Sequence, residues 1–592
     1  MPPQRQYPSL RDADVMLITA GILLSLPALC QEPSSVPGAY RGPEEQHLLE
    51  QTAKNGQIAA PGTLVFSMHG GWDRWEFWYE RERDLLFRGE PDFPARAVSD
   101  DGTYGDQSWA LDRQELVMTS MPLLLEALTN DQPSIREAAA LSLGRIGYPA
   151  SVSFLERATK DPVESVRQAA FMALGLVASD DSTKLLTTTF KTSEEDSTRA
   201  FAALGLGLSG RAEAASTLRS YLNRVYAGQT WAAQEELVMG ALLGAGVHGS
   251  ADLNSTVLKL AEVWRKDQGS QHLLTTSIHT LGALRHPNSR IFLQEILTEK
   301  RPDLVEAAVQ ALGRLGDRQA IESLTELAKD SNNPRIESAV LLSLGRLGGM
   351  EAEKALQELA PRRQEEESVR SAYVLACGML KATGSYPQML ATFVHGSHIE
   401  KKARTEANPR RDEDALRGAA AVALGLYGNP KAATKLGSIL QDKNQEPGLR
   451  GYIATSLGML RSNKSVELLL VLAADPTLPV ATRRGLATGL SLCQRETTNE
   501  QLVKMLLNDE DDSVRFAAAR ALASARSASS FQTLADALRS ELNQDQVSAQ
   551  TSHLILGLGF LGDRHVGATI GSLISGTDLR EAPPLLHALR AY

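Results

Sequence analysis

Aromatic residues make up only 5% of the 592-residue chain, cysteines number three, and the 61 lysines and arginines fall short of the 71 aspartates and glutamates. So few rings exclude a core built on large aromatics and suit helices packed through alanine, leucine and glycine. The net charge of -10 leaves no electrostatic footprint for nucleic acid, which needs a surplus of lysine and arginine. Catalytic signatures are missing as well: the chain holds no G-x-x-x-x-G-K-[ST], H-E-x-x-H, C-x-x-C or G-x-S-x-G. Gly205 to Gly210 fits G-x-G-x-x-G, but it ends a predicted helix instead of joining a strand to one, so the phosphate cradle is absent. No catalytic residue, cofactor or metal is therefore expected.

What the chain has in abundance is a recurring Leu-Gly pair, clearest at Leu312-Gly313. The anchors are Gly144, Gly175, Gly207, Gly244, Gly282, Gly313, Gly345, Gly378, Gly425, Gly458, Gly489, Ala523 and Gly559, thirteen units with alanine in the key position of the twelfth. A chain of this length exceeds a single hydrophobic core, which stops growing at roughly 250 to 300 residues. A regular repeat resolves the difficulty by stacking.

Reading back from each anchor, apolar residues recur at intervals of four, four and three: Ile135, Ala139, Leu143, Ile146; Val166, Ala170, Leu174, Val177; Ile336, Val340, Leu344, Leu347; Leu449, Ile453, Leu457, Leu460. Those intervals mark one face of an α-helix. Small residues such as Ala138 and Gly144 lie on an adjoining face and admit a neighbouring helix, while Gly147, Gly316 and Gly348 are placed to end helices. Shorter amphipathic runs at Pro122 to Leu128, Ser153 to Thr159 and Ala320 to Ala328 supply a second helix per unit. Asp161-Pro162 and Asp475-Pro476 read as helix openings. A pair this short cannot bury its own apolar face, so neighbours must share a continuous core. The expectation is an all-α, α-α superhelix that extends as an elongated spine with a long concave groove.

The pattern of Asp, then Val or Ile followed by Arg, then x-A-A and a closing L-G, at Asp131 to Gly147 and Asp161 to Gly175, resembles the short HEAT-like repeats of the phycobilisome-lyase type. The resemblance covers roughly Pro122 to Gly562, with departures around Gly244, Gly282 and Gly489. It implies an armadillo/HEAT-like solenoid acting as a scaffold for a protein or peptide along its concave face. A chromophore (bilin) lyase, or a lyase subunit, is the alternative that it implies.

Three groups of residues are candidates for a site. Arg136, Arg167, Arg199, Arg370, Arg417, Arg450 and Arg515 stand eight residues before their anchors, each near a helix N-terminus where a cation opposes the macrodipole. Asp131, Asp161, Asp196, Asp414 and Asp512 precede five of them, so the row reads as a structural Asp/Arg ladder before it reads as an anion site. The segment from Gly71 to Glu80 is the densest aromatic run, and Trp75, Trp78 and Tyr79 share a face if it is helical. With Trp72 they form either a hydrophobic cap on the first repeat or hot-spot anchors for a partner. An insertion at roughly Gly384 to Arg411 carries His395 and His398, which lack a third metal ligand, and Lys401, Lys402, Arg404, Arg410 and Arg411, a basic contact for an acidic partner.

The ends differ from the array. Arg5 and Arg11 precede an apolar stretch from Val15 to Leu26, and Ala28-Leu29-Cys30 offers a cleavage site, so residues 1–30 read as a signal peptide and the protein as exported to the periplasm or cell envelope. A retained anchor, which would bring a membrane into play, and a misplaced start with a cytoplasmic protein are the alternatives. Residues 31–62 form a linker, Pro/Gly/Ser-rich from Glu32 to Pro43; 63–118 a Trp-rich cap segment; 119–565 the repeat array; 566–592 C-terminal capping helices. Cys377 and Cys493, more than three repeats apart, are too distant for a disulfide, and Cys377 falls on the apolar stripe.

Overall fold

The computed structural model describes residues 113–228, 234–267, 270–360, 366–396, 409–493, 495–522, 528–544 and 549–561. Within them are twenty-six α-helices and no strand. The helices alternate between two layers. The outer layer is α1 (Arg113–Ala127), α3 (Val152–Ala158), α5 (Asp180–Thr192), α7 (Ala212–Gly228), α9 (Asn254–Asp267), α11 (Ser289–Ile296), α13 (Ile321–Asp330), α15 (Gly349–Leu359), α17 (Tyr386–His395), α19 (Ala432–Gln441), α21 (Asn463–Ala473), α23 (Glu496–Asn508) and α25 (Ala528–Leu542). The inner layer is α2 (Pro133–Ile146), α4 (Glu164–Val177), α6 (Asp196–Ser209), α8 (Glu235–His248), α10 (Gln271–Leu284), α12 (Pro302–Leu315), α14 (Pro334–Leu347), α16 (Glu367–Leu380), α18 (Pro409–Tyr427), α20 (Pro447–Leu460), α22 (Val480–Cys493), α24 (Asp512–Ala521) and α26 (Ala549–Leu561).

Each inner helix packs on its own outer partner and on the inner helices before and after it. Most joints between inner helices follow one rule, set by the anchor glycine in the third position from the helix end. A Cβ added to Gly144 would lie 2.5 Å from the Cα of Ala173, one on Gly282 2.7 Å from that of Ala311, and one on Gly378 2.6 Å from that of Ala423. In each case the neighbour stands two residues before the next anchor, so two small residues per helix let the backbones approach. Where that second residue is Ser or Thr it also crosses the joint: Thr280 Oγ1 donates to Leu242 O at 3.1 Å and Ser343 Oγ to Val309 O at 3.1 Å.

This rule corrects two anchors. In α8 and α22 the third position from the end belongs to Gly246 and Ser491, and Gly244 and Gly489 stand two residues earlier, where they receive Gly207 and Gly458. Both positions demand a small residue, so a helix with glycine in the earlier one presents a misleading repeat. Local starts are corrected as well. Asp161 and Asp475 do not cap helices; their carboxylates accept from the backbone N–H of Val163 and Thr477, each at 2.9 Å, forming turns ahead of α4 and α22. Pro122 lies inside α1. Gly147 and Gly316 end their helices in the left-handed conformation, whereas Gly348, at φ 69° and ψ 175°, turns the chain directly into α15. Part of the expected insertion is α17, the outer helix of its repeat, which leaves 396–408 between it and α18.

The larger correction concerns the shape. The repeats form the expected all-helical HEAT-like solenoid, but not an elongated spine: α26 packs against α2, and α25 against α1. The joint obeys the same rule as the others. A Cβ on Gly559 would lie 2.7 Å from that of Ser142, two residues before the first anchor. Ser142 Oγ donates to Ile555 O at 2.9 Å, the counterpart of the Ser343 bond. In the outer layer Gln532 Nε2 donates to Glu115 Oε1 at 2.7 Å. Thirteen helix pairs thus form a closed ring. Its cause is the difference between the layers: small residues draw the inner helices together, the outer ones stay further apart, and the same bend repeated returns the chain to its start. The first repeat is covered by the last.

Candidate interaction surface in the ring lumen

In a closed ring the concave face becomes the wall of a lumen. At 100° per residue, the positions of α4 opposite its core stripe of Val166, Ala170, Leu174 and Val177 are Gln168 and Met172. The equivalents of Met172 include Leu141, Leu204, Leu243, His279, Leu342, Leu375 and Val422; those of Gln168 include Glu137, Met239, Thr275, Glu306, Ser371, Arg484 and Phe516. A round ring of thirteen helices spaced about 8 Å apart has a lumen roughly 20 Å across and, from fourteen-residue helices, about 21 Å deep.

Apart from Gln168 and Phe516, which are partly exposed, these side chains are nevertheless buried. Leu204, Leu375 and Val422 show 0% exposure and Arg484 3%, while the main contacts among the described helices join only neighbouring repeats of the ring. That burial explains why α8 and α26 are apolar on every side, the mark of a helix covered all round.

The wall is chemically mixed. Burial pushes the Glu137 carboxyl above its ordinary value, and a hydrogen bond with Ser165 opposes the shift. Glu306 accepts from Arg335 Nη2 at 2.6 Å and from Gln310 Nε2 at 3.1 Å. Arg314 and Arg484 are buried cations. Beside the seam, Phe516 lies 6.4 Å from both the His553 and the Phe560 rings, and the Arg145 guanidinium sits 4.1 Å over Phe560. Such an arrangement suits a ligand with apolar bulk and charges of both signs, such as a polypeptide segment. None of these lumenal residues was a candidate in the sequence; the one available signal was the all-round apolar character of α8 and α26.

The arginine row points elsewhere. Its members reach back to carbonyls in the turn before the inner helix or in the last turn of the outer one: Arg136 Nη1 to Asn130 O at 2.8 Å, Arg167 Nη1 to Asp161 O at 3.0 Å, Arg199 Nε to Phe190 O at 3.1 Å, Arg417 Nε to Phe393 O at 3.0 Å, Arg450 Nε to Leu440 O at 2.9 Å, and Arg515 Nη1 to Asp509 O at 2.9 Å. A cation opposing the dipole of its own helix thus satisfies carbonyls left over at the end of the previous one. Upstream acids pair as expected in Arg199–Asp196 (2.9 Å), Arg417–Asp414 (3.2 Å) and Arg515–Asp512. Arg136 instead grips Asp161 of the next repeat through both carboxylate oxygens at 2.8 Å. Burial would raise the Asp161 carboxyl, but the hydrogen bonds from Arg136 and the Val163 N–H and the charges of Arg136 and Arg167 hold it below its usual range. Arg483 makes the same two-pronged contact with Asp509 at 2.8 and 2.9 Å; it stands eight residues before Ser491 and was hidden by the misplaced anchor. Arg370 holds the equivalent position on α16.

Trp72, Trp75, Trp78, Tyr79, Lys401, Lys402 and Arg404 lie outside the described residues, as do residues 566–592. Cys377 and Cys493 are buried and neither is in a disulfide; burial pushes their thiols up to about 11 and about 12.

Comparison with known proteins adds a family and several folds. The HEAT repeats family matches residues 109–175, 154–237, 268–345 and 478–551. Among solved structures, the complex of CpcE and CpcF of phycocyanin lyase from a Nostoc species is similar at 18% identity over 44% of this chain and 98% of that one, with a TM-score of 0.29. Human deoxyhypusine hydroxylase is similar at 17% identity over 48% of this chain and 98% of that one, TM-score 0.21. Importin beta is similar at 11% identity over 87% of this chain and 74% of that one, TM-score 0.32. Compared with curated proteins, the sequence has no match.

Proposed function

The chain is a HEAT-repeat protein, and from that premise we propose that it is a non-enzymatic scaffold that encloses a polypeptide segment in the lumen of its ring. One observation carries this reading: large apolar and charged side chains line the lumen and are buried there. A rigid, preformed wall loses little entropy on binding, and HEAT repeats in general mediate protein binding.

The test places a photo-reactive benzoylphenylalanine at Leu243, on the lumenal wall, or at Met350, exposed on α15. A polypeptide adduct at position 243 and none at 350 is expected; the reverse pattern would put the binding face outside the ring and end the proposal. The lyase alternative finds little support, since the described cysteines are buried with raised thiols. A coloured adduct after incubation with a linear tetrapyrrole would restore it. Export is proposed with the same reading, from the leader at residues 1–30, and native protein that begins at Met1 would refute it. No described helix is long and apolar enough to cross a membrane.

A further inference from the structure

We propose that the last repeat, α25–α26, is a gate: it swings on its joint with α24 and parts from α1 and α2, opening the ring from the side. The proposal rests on the lumen being a binding face, and it supplies the entrance such a face needs. A closed ring is threaded only by a free chain end. A segment flanked by folded domains wider than about 20 Å enters only if one joint opens.

The two joints of this repeat differ in opposite ways. The first, α24 on α26, is wide. Gly205, Gly244 and Gly489 hold the fifth position from the ends of their helices. A Cβ on each would lie 2.6, 2.4 and 2.4 Å from a carbonyl oxygen of the preceding inner helix, on Phe171, Ala203 and Ala454 respectively. Gly557 holds the same place in α26, yet an added Cβ would meet side chains first: Leu506 at 3.2 Å, Leu534 at 3.5 Å and Ala519 at 3.8 Å. Leucines from the outer helices α23 and α25 fill the space that backbone occupies elsewhere. Phe516 completes the joint through its ring contacts with His553 and Phe560. Side chains of this kind slide by changing rotamer, as in shear between packed helices, whereas interlocked backbones do not. The second joint, α26 on α2, is close but has no loop to hold it. It consists of the Ser142–Ile555 hydrogen bond and the stacking of Arg145 on Phe560, with the Gln532–Glu115 bond beside it in the outer layer. Parting strands no polar group. The Ser142 hydroxyl can turn to a carbonyl of its own helix, Ile555 O keeps its helical N–H partner, and Gln532 and Glu115 meet water. A joint that pivots beside a joint that parts makes the repeat between them a door.

The experiment labels the native full chain, in a Cys30→Ser background, with a polar maleimide at three positions: Ser142→Cys, Ser343→Cys, whose serine makes the equivalent bond at the α12–α14 joint, and Ala535→Cys, buried on α25. Ser142 is 0% exposed and Ser343 5%, so static burial favours position 343. Labelling at 142 roughly tenfold or more faster than at 343 and 535 is expected. Equal rates at 142 and 343 overturn the gate. Labelling at 535 as fast as at 142 overturns it too, because the repeat would then unravel instead of swinging. A second measurement compares thermal melts of Gly557→Ala and Gly489→Ala. The midpoint is expected to hold at 557 and to fall at 489; equal midpoints for the two variants overturn the pivot. Neither readout involves a ligand, so their failure leaves the lumenal binding face intact, whereas absence of the adduct at position 243 ends that reading.

Discussion

Gly559→Val tests the closure of the ring at its most exposed assumption, the joint between α26 and α2. A Cβ at position 559 would already lie 2.7 Å from the Ser142 Cβ and 2.8 Å from its Cα, both within a helix that cannot yield without moving as a body. Valine adds two more carbons in the same place. Overpacking of this kind costs about 1–3 kcal/mol, and the displacement strains the Ser142–Ile555 hydrogen bond, worth about 1 kcal/mol, and the stacking of Arg145 on Phe560. No loop ties α26 to α2, so the joint opens instead of straining its neighbours. A loss of about 2–3 kcal/mol corresponds to roughly 30- to 150-fold faster opening, read as hydrogen exchange of the amides in α2 and α26. Helices across the ring, α12 and α14, are expected to keep their protection. Gly345→Val is the control: its nearest neighbours to an added Cβ are at 3.0 and 3.2 Å, one of them the flexible Met379 sulfur, so its cost falls at the lower end of the same range. Unchanged exchange in α2 and α26, or equal acceleration all round the ring, would refute the reasoning.

Three further outcomes are expected. Arg136→Ala, which removes a two-pronged bond to Asp161 and two carbonyl contacts, is expected to cost about 1.5–3 kcal/mol in denaturant melts; a loss below 0.5 would show the clamp to be ornamental. Glu137 carries a raised carboxyl, so the folded chain holds a proton that the unfolded chain releases, and stability falls as pH rises from about 4.5 through the raised value, then levels. Glu137→Gln is expected to flatten that part of the pH profile, and an unaltered slope would reject the assignment. Cys377 and Cys493, buried with raised thiols, are expected to resist alkylation at pH 8 until denaturant is added; prompt reaction in the native state would contradict their burial.

Much of the fold was legible because it is written periodically. The stripe that ends at Leu174 and Val177 is a local property that located the inner helices, and shorter amphipathic runs such as Ser153 to Thr159 located outer ones. Closure was not legible, because it is a sum of small bends: Ser142 and Gly559 look like any other small residues until the arc between them is known. The same holds for the lumen, since Leu204 and Leu375 become wall residues only when the helices curve the right way. The arginine row was visible as spacing, but its partners were sought only among the acids a few residues upstream. Phe190 and Leu440, whose carbonyls it satisfies, belong to the preceding one, and an acceptor on the main chain leaves no trace in residue type.

The seam at Ser142 and Gly559 has a consequence for how the chain is ordered. A joint built like most of its siblings gives the circle no privileged origin. Had the polypeptide begun at α9 and linked α26 to α1 with a short loop, the same neighbours would meet in the same geometry. Where the chain enters and leaves the wheel is therefore set by connectivity alone.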